Sequence, residues 1–265
     1  MSPMRMLRTA PYGTAWKRVE FPFCVLGPVM VMKGQLALPL RLNEARSLEN
    51  FVPGPNAEAV ALMAALLAKD PAMGENMVFF WGAEGTGRSH LLQALCHGRA
   101  RRGDAVMYLP LSESVGLDPE ILEGCGALDV VCLDDVDCVC GDERWERGIF
   151  RLFNEMKAAN GLLVMTAKSN PRALQCRLPD LASRLSWGLV LHLHSLNDEQ
   201  RIEALCRRAE GRGMPMDADT AAYLLHRRRR DLAALFDVLE RLDVASLQAR
   251  RKLTKHFVRQ VLQSL

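Results

Sequence analysis

The sequence predicts an α/β fold: a parallel sheet covered by helices on both faces, followed by a small all-α unit. Three observations carry this reading. Five apolar runs, at 77–81, 105–111, 129–133, 162–167 and 189–194, alternate with helix-patterned segments, as strands joined by crossover helices do. A glycine-rich turn joins the first run to a helix. After His194 the strand pattern stops and only helical periodicity follows.

The 265 residues allow one large domain or two small ones, and a hydrophobic fraction of 49% supplies ample core. Residues 21–32 are apolar and follow Arg5, Arg8, Lys17 and Arg18, which superficially resembles a secretion signal. Pro22 and Pro28 interrupt the run and no small-residue cleavage site follows it. Met30 and Met32 offer an internal start, so residues 1–31 are expected to be upstream sequence and poorly ordered. No run reaches the roughly 18–20 apolar residues that span a bilayer.

Asn56 is placed to cap a helix running through Lys69, apolar nearly all round and hence well buried. Further helices are expected at 89–101, at 143–159 and near 178–185. The unbroken apolar run Val130-Val131-Cys132-Leu133 suits a central strand. Asn197-Asp198-Glu199-Gln200 reads as a capping box opening a helix to about Glu210, with helices to follow at 217–228, 231–244 and 254–265. The expected divisions are an N-terminal segment at 32–49, an α/β base at 50–195 and a helical lid at 196–265.

Gly82-Ala83-Glu84-Gly85-Thr86-Gly87-Arg88-Ser89 fits the phosphate-binding loop Gly-x4-Gly-Lys-Ser/Thr, with arginine in place of lysine. Strand, glycine turn and helix N-terminus aim several backbone N–H groups at one point, and polyphosphate suits that point. A planar guanidinium cannot sit where a lysine ammonium reaches the β- and γ-phosphates, so Arg88 favours binding over fast hydrolysis. Asp134 and Asp135 close a strand beside this loop, where carboxylates hold Mg²⁺ and orient water; two acids in a turn are the plainer alternative.

Such a loop implies an intracellular, cytoplasmic setting in which the eight cysteines stay reduced. Cys138-Val139-Cys140 with Cys132 suggests metal ligands, but no second paired set follows at zinc spacing. Arg184 reads either as a surface or salt-bridge arginine or as a finger reaching a neighbour's nucleotide. Arg227-Arg228-Arg229-Arg230 reads as a solvated face, a phosphate sensor or a nucleic-acid patch, and its lack of interleaved aromatics weakens the last. Gln35-Leu36-Ala37-Leu38-Pro39-Leu40 has the polar head and spaced apolar plugs of a peptide anchor, or is an ordinary apolar lead-in.

Taken together, QLALPL, GAEGTGRSHLLQA, RRGDAVMYLPL, GDERWERGIF, LPDLASRLSWG and LQARRKLTKHFVRQVL, in this order, make the chain resemble the Hda family from Gln35 to Leu265. These are AAA+ regulators homologous to the ATPase part of the bacterial replication initiator DnaA, with an α/β base and a helical lid. The resemblance implies that Gln35, Leu36, Leu38, Pro39 and Leu40 dock on the β sliding clamp of DNA polymerase III. It implies that Gly82, Ala83, Glu84, Gly85, Thr86, Gly87, Arg88 and Ser89, with His90, Asp134 and Asp135, bind ADP or another nucleoside diphosphate. Ser89 and Asp134 would hold Mg²⁺ through that nucleotide. Arg184 aligns with the arginine finger and Arg230 with the sensor-2 arginine. The implied role is a clamp-held inactivator of DnaA that stimulates hydrolysis of DnaA-bound ATP and blocks re-initiation.

Two departures from the AAA+ pattern are visible. Lys168 stands where the family usually carries an acidic sensor-1 residue, and Asp134-Asp135 replaces the Asp-Glu of active ATPases. With Arg88, these predict no stand-alone turnover. No helix-turn-helix follows the lid, so sequence-specific DNA binding is not expected; a homo-oligomer is. The competing readings are a stand-alone ATP-driven loader or remodeller and a DNA-binding module acting through the arginine run. The net charge of +3 speaks against the second.

Overall fold

The computed structural model describes residues 17–18, 30–31, 46–70, 74–113, 117–227, 235–236, 238–239, 241–242 and 258–259. Two short strands, β1 (Lys17–Arg18) and β2 (Met30–Val31), pair antiparallel. The rest of the segment expected to be upstream sequence lies outside the described residues.

The remaining strands are β3 (Met77–Trp81), β4 (Val106–Pro110), β5 (Val130–Asp134), β6 (Leu162–Ala167) and β7 (Leu189–His192). They form one sheet in the order β4-β5-β6-β3-β7, with every neighbouring pair parallel. Parallel pairing needs crossovers, which α2 (Arg88–Ala100), α3 (Glu143–Ala158) and α4 (Pro179–Leu185) supply, and α1 (Ala57–Ala68) precedes the sheet. The inner strands β5 and β6 are buried at every residue, as their unbroken apolar runs require, whereas β7 is partly exposed at the edge.

Alternation sends the two sides of each strand into separate cores. Val78, Phe80, Val130, Cys132, Leu162 and Val164 meet Leu62, Met63 and Leu66 of α1 and Leu91, Leu92 and Leu95 of α2. Met77, Phe79, Val131, Leu133, Leu163 and Met165 meet Ile149, Leu152 and Phe153 of α3 and Leu181 and Leu185 of α4. Asp142 caps α3 by accepting from the Arg144 and Trp145 amides.

Asn56 does not cap α1, contrary to expectation. Its side chain instead grips the backbone of His194: Nδ2 donates to the carbonyl at 2.9 Å, and Oδ1 accepts from the amide at 2.7 Å. A partner that satisfies both ends of the amide, far along the chain, replaces the local cap. Helix α1 is also not buried all round; Ala59, Leu62, Met63 and Leu66 form its buried face, while Ala61 and Ala64 are exposed.

Beyond the sheet, α5 (Asp198–Glu210) opens with the expected capping box: Asn197 Oδ1 accepts from the Gln200 amide at 2.8 Å and Gln200 Oε1 from the Asn197 amide at 3.0 Å. Helix α6 (Ala218–Arg227) packs against it. Leu205, Ala209, Ala221 and Leu224 share a core with Leu235, Leu239, Leu242 and Val258, the described parts of the expected later helices. Among the described residues no helix is long and apolar enough to cross a membrane.

Asp104 joins the ends of α1 and α2 to the lead-in of β4. It is buried between Lys69 and Arg99, and Arg99 also donates to the Leu66 carbonyl at 2.9 Å. Burial alone would raise the Asp104 carboxyl, but Lys69 and Arg99 outweigh it and hold the group low. Asp104→Asn leaves Arg99 without its counter-charge, and urea unfolding is expected to show a loss of about 3 kcal/mol. A loss under about 0.5 kcal/mol, the usual size for a surface change, refutes that role.

Candidate functional site

The glycine-rich turn leaves the sheet at the end of β3, between β6 and β7. Its first amide, Gly82 N–H, donates to the Ala167 carbonyl at 3.2 Å, which fixes the turn to the end of β6. A Cβ on Gly82 would lie 2.4 Å from the Leu193 carbonyl oxygen, so the backbone approach there requires glycine. Gly87 sits at φ +96° directly before α2, and a Cβ there would meet the Phe51 ring at 2.5 Å. No side chain caps α2, which leaves its first-turn amides pointing into the turn.

Beside the turn, the Arg88 guanidinium is buried (7% exposed) and donates to Asp135 Oδ1 at 2.6 Å. Asp135 adopts a left-handed conformation, φ +55°, and its amide donates to Thr166 Oγ1 at 3.0 Å. Thr166 in turn donates to Asp134 Oδ1, and Tyr108 Oη donates to Asp134 Oδ2 at 2.8 Å. Burial, with the Asp134 charge beside it, pushes the Tyr108 hydroxyl far up, so it remains a donor.

A cleft of about 200 Å³ opens between this turn and the C-terminal helices. One wall is the backbone and side chains of 85–90; the other includes Arg46, Phe51, Leu196, Arg208 and Phe236. Arg208 lies over the Phe236 ring at 5.2 Å. His90 is hydrogen-bonded to the Ser47 carbonyl at 2.7 Å and meets Phe51 edge-on at 5.4 Å. Burial, with Arg208 and Arg46 close by, pushes its imidazole down to about 4, so the ring is neutral at physiological pH. A glycine cradle, bare helix amides, two arginines and apolar surface suit a phosphorylated, ring-bearing ligand. The Ser89 hydroxyl and the Asp134 carboxylate are hard oxygen donors of the type Mg²⁺ takes.

Arg184 occupies the last turn of α4 and does not line this cleft. Its guanidinium lies 4.7 Å from the Trp187 ring centre, while Lys157 Nζ covers the same ring at 3.1 Å. Trp187 is 43% exposed, so this cationic and aromatic face is open. Glu146, fully buried on α3, sets the approach to α4: Oε1 accepts from the Gly141 and Arg177 amides at 2.7 and 3.0 Å, and Oε2 from Leu178 at 2.7 Å.

Of the expected site residues, Gly85, Thr86, Gly87, Arg88, Ser89 and His90 line the cleft. Gly82, Ala83 and Glu84 do not; Asp135 adjoins the turn through Arg88, and Asp134 connects to Asp135 through Thr166. Lys168, at the expected sensor position, is paired with Glu84 of the turn, and that hydrogen bond and charge hold the Glu84 carboxyl low. Arg230, Gln35, Leu36, Leu38, Pro39 and Leu40 lie outside the described residues. Among the described residues no three His, Cys, Asp or Glu side chains gather at metal distance, and Cys132 is buried where Cys138 is exposed. Sequence patterning did not single out Arg46, Phe51, Tyr108, Glu146, Thr166, Arg208 or Phe236. The Phe51-Val52-Pro53-Gly54 break before α1 was the one local signal available.

A glycine turn on a central strand of this parallel sheet, roofed by a helical unit, defines an AAA+ fold. Residues 42–115 and 120–192, more than half of the chain, match the model of the bacterial DnaA ATPase domain, and residues 198–262 match that of the Hda lid domain. The chain therefore belongs to the bacterial DnaA ATPase-domain family, as an Hda/DnaA-like AAA+ protein. Domain III of the Thermotoga maritima replication initiation protein DnaA superposes with a TM-score of 0.70 at 23% identity, covering 84% of this chain and 98% of that one. AMPPCP-bound DnaA from Aquifex aeolicus gives 0.62 at 23%, covering 78% and 68%. The Thermotoga maritima RuvB Holliday junction branch migration motor gives 0.58 at 15%, covering 83% and 72%. At these identities the likeness is one of fold.

Removing one partner of the buried Arg88–Asp135 pair strands the other charge. Arg88→Ala is expected to cost about 3 kcal/mol in urea unfolding, and the double variant Arg88→Met, Asp135→Asn to recover most of that loss. Strictly additive losses in the double variant would show the two side chains to be uncoupled. His90 binds a proton more readily unfolded, near 6.5, than folded, near 4. Stability is therefore lost as pH falls through that window, and His90→Gln is expected to flatten the thermal midpoint against pH between 6.5 and 4.

Proposed function

We propose that the chain is a clamp-tethered inactivator of DnaA that holds a nucleotide itself and promotes hydrolysis of the ATP carried by its partner. The observation that carries this reading is the Arg88–Asp135 pair at 2.6 Å, in which Arg88 is buried and Asp135 largely so. The side chain in the phosphate-loop lysine position is committed to a carboxylate, and the carboxylate where a water-activating acid would stand is committed to Arg88. A site so arranged binds without turning over. The match of residues 198–262 to the Hda lid supports the same assignment.

In this reading, residues 85–90 hold the diphosphate of ADP or another nucleoside diphosphate on backbone amides, and Arg208 and Arg46 face it across the cleft. Phe51 and Phe236 supply apolar surface for the base. Bound Mg²⁺ would neutralise phosphate charge, held from Ser89 and Asp134. Arg230 contacts the same phosphates from the lid. Gln35, Leu36, Leu38, Pro39 and Leu40 anchor the chain to the β clamp on DNA.

Arg184 acts on the partner. As water attacks the γ-phosphorus of DnaA-bound ATP, negative charge grows on the phosphoryl oxygens, and a guanidinium offered from outside stabilises it. Its place outside its own cleft, on an open face beside Trp187, suits a group that works in trans. The Glu146 clamp then serves to aim α4.

The test is ATP hydrolysis by purified DnaA with DNA-loaded clamp, with the native chain or with Arg184→Ala. Stimulation by the native chain is expected, reduced by about 10³-fold or more in the variant while clamp binding persists. Equal stimulation by both proteins makes Arg184 structural. Stimulation by neither, with hydrolysis by the chain alone, supports a stand-alone ATPase instead.

A further inference from the structure

Two cysteines with no part in the nucleotide site stand together beneath α4. Cys140 Sγ and Cys176 Sγ are 3.4 Å apart, and both residues are half-buried and open to small reagents. They belong to loops from different parts of the chain: Cys140 follows the turn after β5, and Cys176 lies just before α4. The same buried carboxylate fastens both loops. Gly141, next to Cys140, donates to Glu146, and so does Arg177, next to Cys176. The meeting of the two sulfurs is therefore preset by Glu146.

We propose that Cys140 and Cys176 form a dithiol–disulfide pair, a redox-modification site that takes low-molecular-weight disulfides as its reactant. Either sulfur can donate to the other; donation from Cys140 lowers Cys176 and, with burial, raises Cys140. In that arrangement Cys176 is the attacking thiolate and Cys140 the resolving thiol. Partial desolvation, with Asp137 and Asp135 close by, raises Cys138, and partial burial raises Cys206, which disfavours them as competitors.

The chemistry balances in two exchanges. The Cys176 thiolate attacks one sulfur of the small disulfide, breaks its S–S bond and expels one small thiolate. Cys140 then loses its proton to solvent and attacks Cys176 Sγ, expelling the second small thiolate. Two protein thiols are oxidised, and the small disulfide is reduced to two thiols. The bridge ties the turn after β5 to the lead-in of α4, the helix carrying Arg184. Such a bond in a reducing compartment is transient and regulatory rather than structural.

The test treats the full, folded chain with oxidised glutathione, blocks remaining thiols with iodoacetamide and digests with trypsin for mass spectrometry. The expected product links the peptide 173–177 to the peptide 103–144, with two equivalents of reduced glutathione released. Because 103–144 carries four cysteines, variants assign the partner. Cys140→Ser is expected to abolish the link and to stop at a glutathione adduct on Cys176, while Cys138→Ser keeps the link. A native chain that stops at the adduct, a Cys176 that does not react, or a link that survives Cys140→Ser overturns the proposal. None of these outcomes bears on nucleotide binding or on Arg184.

Discussion

One chain of hydrogen bonds crosses the carboxyl ends of three neighbouring strands and reaches the first residue of α2. It runs from Tyr108 on β4 to Asp134 on β5, through Thr166 on β6 to Asp135, and on to Arg88. Each buried donor or acceptor in it would be costly if left alone, so the members hold one another in place. The glycine turn takes its position from this network, because Arg88 is at once its terminal residue and the network's last donor. The left-handed backbone of Asp135 is one cost of the arrangement; it brings the carboxylate to the guanidinium while its own amide meets Thr166.

From that anchored edge the cleft is assembled out of distant parts. The segment just before α1 contributes Phe51, which fills the space a Gly87 side chain would need, and the helices after the sheet contribute Arg208 and Phe236. The walls thus come from three regions divided between two cores. Val52 belongs with the C-terminal helices and Phe51 with the sheet, so consecutive residues are divided between two cores.

The architecture was legible where local pattern and tertiary demand agree. Strands at 77–81 and 162–167 fall where continuous apolar runs placed them, because strands buried on both sides need nothing else. The ends of β4, β5 and β7 moved by one or two residues, since a strand ends where its partner's register ends. The capping box at Asn197 was readable because both of its hydrogen bonds span three residues. Asn56 was not, since its partner is 138 residues away. Thr166 and Tyr108 escaped notice for the same reason: each reaches Asp134 across the sheet, and a threonine or tyrosine in a strand carries no mark of the carboxylate it will meet. Glu146 is one of two acidic residues in the first turn of α3, a pattern that suits a solvent-facing side chain, yet three backbone amides converge on it.

The grip of Asn56 on His194 bears on how the two halves of the molecule are joined. An amide side chain that accepts from a backbone N–H and donates to the same residue's carbonyl imitates a neighbouring strand, and it extends the rigid sheet to His194. The capping box makes the helical half rigid again from Asn197. Ser195 and Leu196 lie between, so the covalent junction of the two halves is two residues long. Leu196 is itself a wall of the cleft. Whatever fills the cleft therefore lies against the junction between the sheet and the helical half.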